Sequence, residues 1–155
     1  MKKRYMVGIG LLIAFGAMQF IRPGRENPPT DAQAAIAAHI DPSSKLVGVL
    51  DRSCNACHSN STVWPWYTEI APLSWIAVSG VETARRSVNF AEWGRYSPAQ
   101  RRHLLQASCA AATTGKMPGE FYTSLEPKAR LSAADISVIC EAAKAGAQAA
   151  WDEQS

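Results

Sequence analysis

The chain has 155 residues, of which 47% are apolar and 19% are charged. That length allows one compact domain but not two, and the apolar fraction excludes a disordered protein. Residues 1–25 carry five basic residues and no acidic one, so the remainder carries eleven basic against thirteen acidic residues. The positive charge therefore belongs to the N-terminal segment, and we expect no nucleic-acid partner.

The N-terminal segment has the pattern of a secretory signal. Lys2, Lys3 and Arg4 precede an uncharged, apolar run from Tyr5 to Ile21. Because no small residues mark a good cleavage site after this run, we expect residues 1–22 to remain as a transmembrane signal anchor, with a cleaved signal as the alternative. The domain would then lie on the periplasmic face of the bacterial inner membrane.

The rest of the chain is predicted to be helical. Residues 23–40 are expected to form a Pro-containing spacer and a short Ala-rich helix, and residues 41–150 the domain proper. Local cap signals and apolar spacing predict four longer helices, which begin at Asp41-Pro42, Leu73, Ser97-Pro98 and Ser132. No alternating strand pattern of useful length occurs, so the predicted fold class is all-α.

One short motif carries the chemistry. Cys54, Cys57 and His58 form the pattern C-x-x-C-H, which is typical of c-type haem attachment. Two thiols at this spacing can add to the two vinyl groups of one haem, and the adjacent imidazole can ligate its iron. The motif therefore predicts one covalent haem c.

Two other sites would use the same cysteines. A redox dithiol normally lies in a βαβ context, which this sequence lacks. A zinc site would need two further ligands at suitable spacing, and Cys109 and Cys140 each stand alone.

A haem held by His58 needs a sixth ligand or is left open. Met117 is the best candidate, because it lies in a Gly/Pro loop and is the only Met outside the N-terminal segment. His39 and His103 are the alternatives, and both are expected to be surface residues. His/Met ligation would raise the reduction potential above that of a bis-imidazole site.

Cys109 and Cys140 fall in two separate predicted helices. Export into an oxidising compartment favours a disulfide between them, with two buried free thiols as the alternative. Such a bond would stabilise the fold by about 3 kcal/mol through loop closure.

The chain resembles a known family, the haem-binding domain proteins of bacterial c-type cytochromes. The resemblance covers roughly residues 45–145. It rests on the following segments: Cys54-x-x-Cys57-His58-Ser59-Asn60, Trp64-Pro65-Trp66-Tyr67, Ile70-Ala71-Pro72-Leu73-Ser74-Trp75, Asn89-Phe90-x-x-Trp93, Met117-Pro118 and Ala129-Arg130-Leu131-Ser132. One departure is Gly119-Glu120, where the family tends to have a second Pro and an aromatic cluster.

The resemblance implies a small, cytochrome-c-like helical domain around one haem, behind an N-terminal anchor. It implies that four aromatic residues line the haem and that an indole or phenol reaches a propionate; these are Trp64, Trp66, Tyr67 and Trp75. It also implies that Pro72 presents its carbonyl to the free ring nitrogen of His58.

The expected function is electron transfer to a redox partner protein. No catalytic triad, phosphate loop or paired-carboxylate motif accompanies the haem motif, so we expect an electron carrier rather than an enzyme. The alternative is a haem-based ligand sensor or peroxidase-like enzyme, in which Met117 leaves an open distal site.

Overall fold

The computed structural model describes residues 2–41 and 44–152. Within these residues all regular structure is helical, so the predicted all-α class is confirmed. Seven α-helices occur there: α1 (Lys2–Met18), α2 (Lys45–Ser53), α3 (Asn55–His58), α4 (Leu73–Ser87), α5 (Pro98–Thr113), α6 (Glu120–Leu125) and α7 (Ala133–Asp152). Short 3₁₀ helices lie at Ile36–Ala38, Trp66–Glu69, Phe90–Arg95 and Pro127–Ala129.

Helix α1 stands apart from the core. None of its residues is buried. Among residues 2–41 and 44–152, no helix is both long and apolar enough to cross a membrane. The predicted transmembrane anchor over residues 1–22 is therefore not supported by the described helices.

The predicted cap signals position the long helices. The Ser97 hydroxyl accepts from the Gln100 N–H, and the Gln100 side chain accepts from the Ser97 N–H, which closes a capping box at the start of α5. Ser132 and Asp135 form the same reciprocal pair at the start of α7. The predicted cap Asp41-Pro42 includes Pro42, which lies outside the described residues, and α2 begins later, with Ser44 accepting from the Leu46 N–H.

Several short elements differ from the prediction. The expected helix over residues 31–40 is only the 3₁₀ turn Ile36–Ala38. Helix α6 and the 3₁₀ helix Phe90–Arg95 were not predicted, because each is too short to show an apolar period.

The core forms where α2, α5 and α7 meet the 3₁₀ helix Phe90–Arg95. Its buried apolar side chains are Ile36, Leu46, Val49, Leu50, Val88, Phe90, Trp93, Ala112 and Ile139. Helices α5 and α7 pack against each other and are joined by a disulfide between Cys109 and Cys140, whose Cα atoms lie 4.9 Å apart. Helix α2 packs on α7, and this packing fixes the position of the Cys motif that follows α2.

The segment between α1 and the core is non-helical, as expected, but it does not behave as a free spacer. Asn60 donates its side-chain amide to the carbonyl of Pro29, and Arg85 donates to the carbonyl of Glu26 and the side chain of Asn27. Contacts across so much sequence have no local signature, which is why the sequence alone indicated a linker.

Candidate haem site

The Cys motif lies on a helical turn of its own. Cys54 has φ −124° and ψ −44°, which ends α2 and redirects the chain into α3. Its carbonyl accepts from the N–H groups of Cys57 and His58, at 3.1 and 2.9 Å. This single turn brings both thiols and the imidazole together, and all three side chains are partly buried.

His58 is oriented by a backbone carbonyl. Its Nδ1 atom lies 3.1 Å from the oxygen of Val88, just beyond the end of α4. Burial lowers the pKa of His58, although the carbonyls of Val88 and Ala84 oppose the shift. A neutral imidazole that uses Nδ1–H for a hydrogen bond presents Nε2 as the metal-binding atom.

The orienting carbonyl is not the one that was predicted. Pro72 is the residue before α4, and its carbonyl accepts from the N–H groups of Trp75 and Ile76 in the first turn of that helix. The predicted role of Pro72 is therefore wrong. Val88 takes the role because it follows the last residue of α4, where the carbonyl does not serve the helix.

The pKa values of both thiols are raised, which disfavours the reactive thiolate form. Burial raises the pKa of Cys54 to about 11, and the neighbouring Cys57 adds to the shift against the opposing charge of Arg52. Burial also raises the pKa of Cys57 against the opposing charge of Arg85. Because redox-active dithiols have lowered pKa values, this environment does not favour a dithiol enzyme.

The zinc alternative gains no support either. In the part of the chain that the structure describes, no three His, Cys, Asp or Glu side chains come together in a group that could hold a metal ion.

Two of the four predicted aromatic residues place their rings wholly or partly in the interior. Tyr67 is buried, and the electrostatic influence of Cys57 contributes to raising its pKa, after burial and Glu126. Trp64 is partly buried, and its Nε1 atom is buried without a hydrogen-bond partner among the described residues. A buried indole N–H normally has an acceptor, so Trp64 fits a site that receives a polar group.

The other two face elsewhere. Trp66 is 73% exposed, so it does not line an interior haem site. Trp75 donates its Nε1–H to the carbonyl of Ile21 at 2.7 Å, so its indole does not point a free donor at a propionate. The family resemblance grouped these residues with Trp64, but Trp66 is exposed on the 3₁₀ helix Trp66–Glu69, and Trp75, in the first turn of α4, is hydrogen-bonded to Ile21.

A cavity of about 540 Å³ adjoins the motif through Asn55 and Ala56, whereas Cys54, Cys57 and His58 are not among its lining residues. Its lining is mainly apolar and includes residues of α2, α3, α6 and the loops between them, among them Leu50, Ala56, Val63, Phe90, Tyr122 and Glu126. A mostly apolar cleft with few polar groups is typical of a cofactor site.

Tyr122 is a site residue that the sequence did not reveal. Burial raises its pKa to about 12, and Cys57, Tyr67, Glu126 and Cys54 contribute in that order. The only sequence signal was its position five residues after Met117, on a helix too short to predict.

The candidate sixth ligands occupy different surroundings. Met117 is 51% exposed and is not among the residues that line the cavity. Its backbone N–H donates to the Ala111 carbonyl, as does that of Lys116, so its loop folds back on the end of α5. His39 contacts the Gln33 carbonyl and Gly94 instead of the motif. His103 is exposed on α5.

The loop after the motif is held by buried polar contacts. The Ser59 hydroxyl donates to the Asn55 carbonyl, and the Asn89 side-chain amide donates to Asn60 at 2.7 Å in a buried pair. Arg85 donates to the carbonyl of Ser59 and the hydroxyl of Thr62. These bonds explain the Ser-Asn that follows the motif, since both side chains fix the chain beside His58.

These residues fit a haem. The turn brings together two thiols and a neutral, oriented imidazole, its residues Asn55 and Ala56 line an apolar cavity, and the buried Nε1–H of Trp64 offers a donor to a carboxylate. In addition to burial, the charge of Cys57 helps to raise the pKa of both Tyr67 and Tyr122.

Comparison with known proteins agrees with this reading. The model of the haem-binding domain family matches residues 13–145, which is most of the chain and includes the whole motif. No curated protein and no solved structure matches the chain significantly. The match supports a haem cofactor, and the chain belongs to the haem-binding domain family.

Proposed function

We propose that this protein is an exported c-type cytochrome that carries one covalent haem and transfers electrons to a partner protein. Cys54 and Cys57 hold the haem through two thioether bonds, and His58 ligates its iron through Nε2. The observation that carries the proposal is the 3.1 Å contact between His58 Nδ1 and the Val88 carbonyl, which fixes the neutral imidazole directly beside the two thiols.

The attachment step needs only the chain's thiols and the vinyl groups of haem. Each thiol S–H adds across one vinyl group, so that one C–S bond and one C–H bond form and nothing leaves. When bound, the haem supplies a one-electron couple at its iron. The chain's own residues hold the ring, orient the imidazole and exclude water with the apolar lining of the cavity.

We assign the sixth position to Met117. It is the only Met after Met18, and its thioether lies on a loop anchored to the last turn of α5 through Ala111. With 51% of the residue exposed, its side chain is free to turn. His/Met ligation saturates the iron and suits an electron carrier with a raised potential.

The proposed location is the periplasm, at the inner membrane. Two features support it: the positive cluster and apolar run at the N-terminus, and the disulfide between Cys109 and Cys140, which is typical of oxidising compartments. The tether is the N-terminal segment.

The covalent attachment can be tested one thiol at a time. The pyridine haemochrome spectrum reports how many haem vinyl groups are saturated. Wild-type protein should show two thioether bonds, and Cys54→Ser and Cys57→Ser should each show one. Identical spectra in all three proteins would contradict the attachment.

A second function is favoured by one observation. Met117 is 51% exposed, and its loop is held to α5 through Ala111 rather than to the motif. If Met117 leaves the iron, the site becomes open to small ligands, as in a haem-based sensor or a peroxidase-like enzyme. Addition of carbon monoxide to the reduced protein at neutral pH separates the two: an electron carrier leaves its Soret band unchanged, and an open site shifts it.

A further inference from the structure

The end of α1 is fastened to the folded domain. The Gln19 side chain accepts from the Ala71 N–H at 2.9 Å and donates to the Ala71 carbonyl at 3.2 Å. Trp75 donates to the carbonyl of Ile21 at 2.7 Å. Two independent contacts therefore join the chain just after α1 to Ala71, which precedes α4, and to Trp75 in the first turn of α4.

A salt bridge extends this junction. The guanidinium of Arg25 pairs with both carboxylate oxygens of Glu69, and Arg22 lies 3.9 Å from the same carboxylate. Glu69 ends the 3₁₀ helix Trp66–Glu69, so that helix is also held next to the chain that leaves α1. The domain cannot swing freely on a flexible linker.

Exposed apolar side chains stand close in sequence to the residues that form this junction. We call them the apolar patch: Phe20 (90% exposed), Ile21 (66%), Trp66 (73%), Ile70 (38%) and Ile76 (55%). Phe20 and Ile21 follow Gln19, while Ile70 and Ile76 are next in sequence to Ala71 and Trp75. Trp66 begins the 3₁₀ helix that Glu69 ends.

The neighbouring helix identifies the occupant. Helix α1 has no buried residue; Lys2, Lys3 and Arg4 form its first turn, the rest of it from Tyr5 to Met18 is uncharged, and Arg22 follows it. The exposed apolar surface of such a helix partitions into lipid without crossing the bilayer, and its basic residues favour anionic headgroups. Its C-terminal end then lies at headgroup level, and the fastened junction brings the patch to the same level.

We propose that the apolar patch is a membrane-contact surface, which rests at the lipid–water boundary of a bilayer containing anionic lipid and sets the orientation of the domain. Trp66 is the anchor of this surface, because an indole has an apolar body and a polar N–H that suit the boundary. The surface rests on the proposed export of the chain, and it does not depend on haem loading.

Hydroxyl-radical footprinting of the full chain bound to phosphatidylethanolamine–phosphatidylglycerol vesicles tests this surface. Water-borne radicals oxidise exposed aromatic side chains, and mass spectrometry reads each site. Oxidation of Trp66 should fall several-fold relative to Phe121, a matched control that is 56% exposed on α6. A ratio of Trp66 to Phe121 oxidation that is the same with and without vesicles would overturn the proposal.

The variant Gln19→Ala/Glu69→Gln/Trp75→Phe tests the junction itself. It keeps α1 and the patch but removes both hydrogen-bonded contacts and the charge that pairs with Arg25, and an unchanged far-UV circular dichroism spectrum shows that it folds. It should still sediment with vesicles while the protection of Trp66 is lost. Protection that persists in this variant would contradict the junction, and protection that grows with protein concentration without lipid would assign the patch to a second copy.

The two proposals fail separately. Loss of covalent haem appears in the absorption spectrum, whereas loss of membrane contact appears only in the footprint. A chain that stays in the supernatant after vesicle sedimentation would overturn the membrane surface and leave the haem site untouched.

Discussion

The Nδ1 atom of His58 lies 3.1 Å from the carbonyl oxygen of Val88, the residue that follows α4. Val88 is held in turn by its own N–H, which donates to the Ala84 carbonyl at 2.9 Å. The end of α4 therefore sets both the tautomer and the angle of the His58 imidazole.

Replacement of that ring should leave the haem attached but change its iron. In His58→Ala the two thioether bonds remain, so the protein stays coloured after denaturation, while the reduced protein loses its sharp low-spin bands. Imidazole added to the solution should restore them. The control His103→Ala, on an exposed position of α5, should match wild type. Low-spin bands in His58→Ala without imidazole would show that another residue is the proximal ligand.

Trp64→Phe should have opposite effects on the stability of the haem-free and the haem-loaded protein, because the indole N–H has no described partner in the structure. In the haem-free chain, Trp64→Phe removes a buried donor without a described partner, so the free energy of unfolding should rise by about 1–2 kcal/mol. In the haem-loaded protein the same change removes a donor to the propionate, so the gain should disappear or reverse. Urea unfolding of both forms measures the difference.

The haem-free form for this comparison is Cys54→Ala/Cys57→Ala, with and without Trp64→Phe. Trp66→Phe is the control, since Trp66 is exposed and should be neutral in both forms. An equal gain from Trp64→Phe in both forms would mean that the indole does not meet the haem.

Met117 should control the reduction potential. Met117→Ala removes the proposed thioether ligand, so the potential should fall by on the order of 0.1 V and the weak sulfur–iron band of the oxidised protein should disappear. Spectroelectrochemistry measures both. Phe121→Leu, on the neighbouring helix α6, should change neither. A potential that is the same in Met117→Ala and wild type would give the sixth position to another group.

Asp135 links the stability of the domain to pH. Its side chain pairs with Arg52 at 2.7 Å and accepts from Ser132, and these contacts hold its pKa at about 2. A lowered carboxyl pKa stabilises the fold above the unfolded value near 3.9, and this stabilisation is lost as the pH falls toward 2.

At pH 7, Asp135→Asn should lower the free energy of unfolding by about 1 kcal/mol, because the cap and the ion pair are both weakened. Urea titrations at a series of pH values should show this gap closing between about pH 4 and pH 2. Glu141→Gln, further along α7, is the control. A gap that is constant with pH would show that the charge of Asp135 is not what stabilises the helix start.

Local signals in the sequence predicted the parts of the fold that depend on neighbouring residues. Ser97 with Gln100 and Ser132 with Asp135 begin α5 and α7 through side chains three positions apart, which a sequence shows directly. The all-α class followed from the same signals. The Cys motif was equally local, since one helical turn brings its two thiols and its imidazole together.

The failures involve residues that meet over long separations. Val88 lies 30 residues from His58, and Ile21 lies 54 residues from Trp75, so neither contact leaves a mark in the sequence. The family pattern indicated that the aromatic residues matter but not which way they face. Trp66 and Trp75 therefore belong to the surface and the junction, while Tyr122 joins the site from a helix that no pattern predicted.

The central claim is that haem is bound covalently through Cys54 and Cys57. The most direct measurement is the visible spectrum of the full chain, produced with a c-type maturation system and then subjected to denaturing acid–organic haem extraction. We expect the colour to stay with the protein and the native reduced form to show sharp low-spin bands. Haem that leaves with the solvent, or a colourless protein, would contradict it.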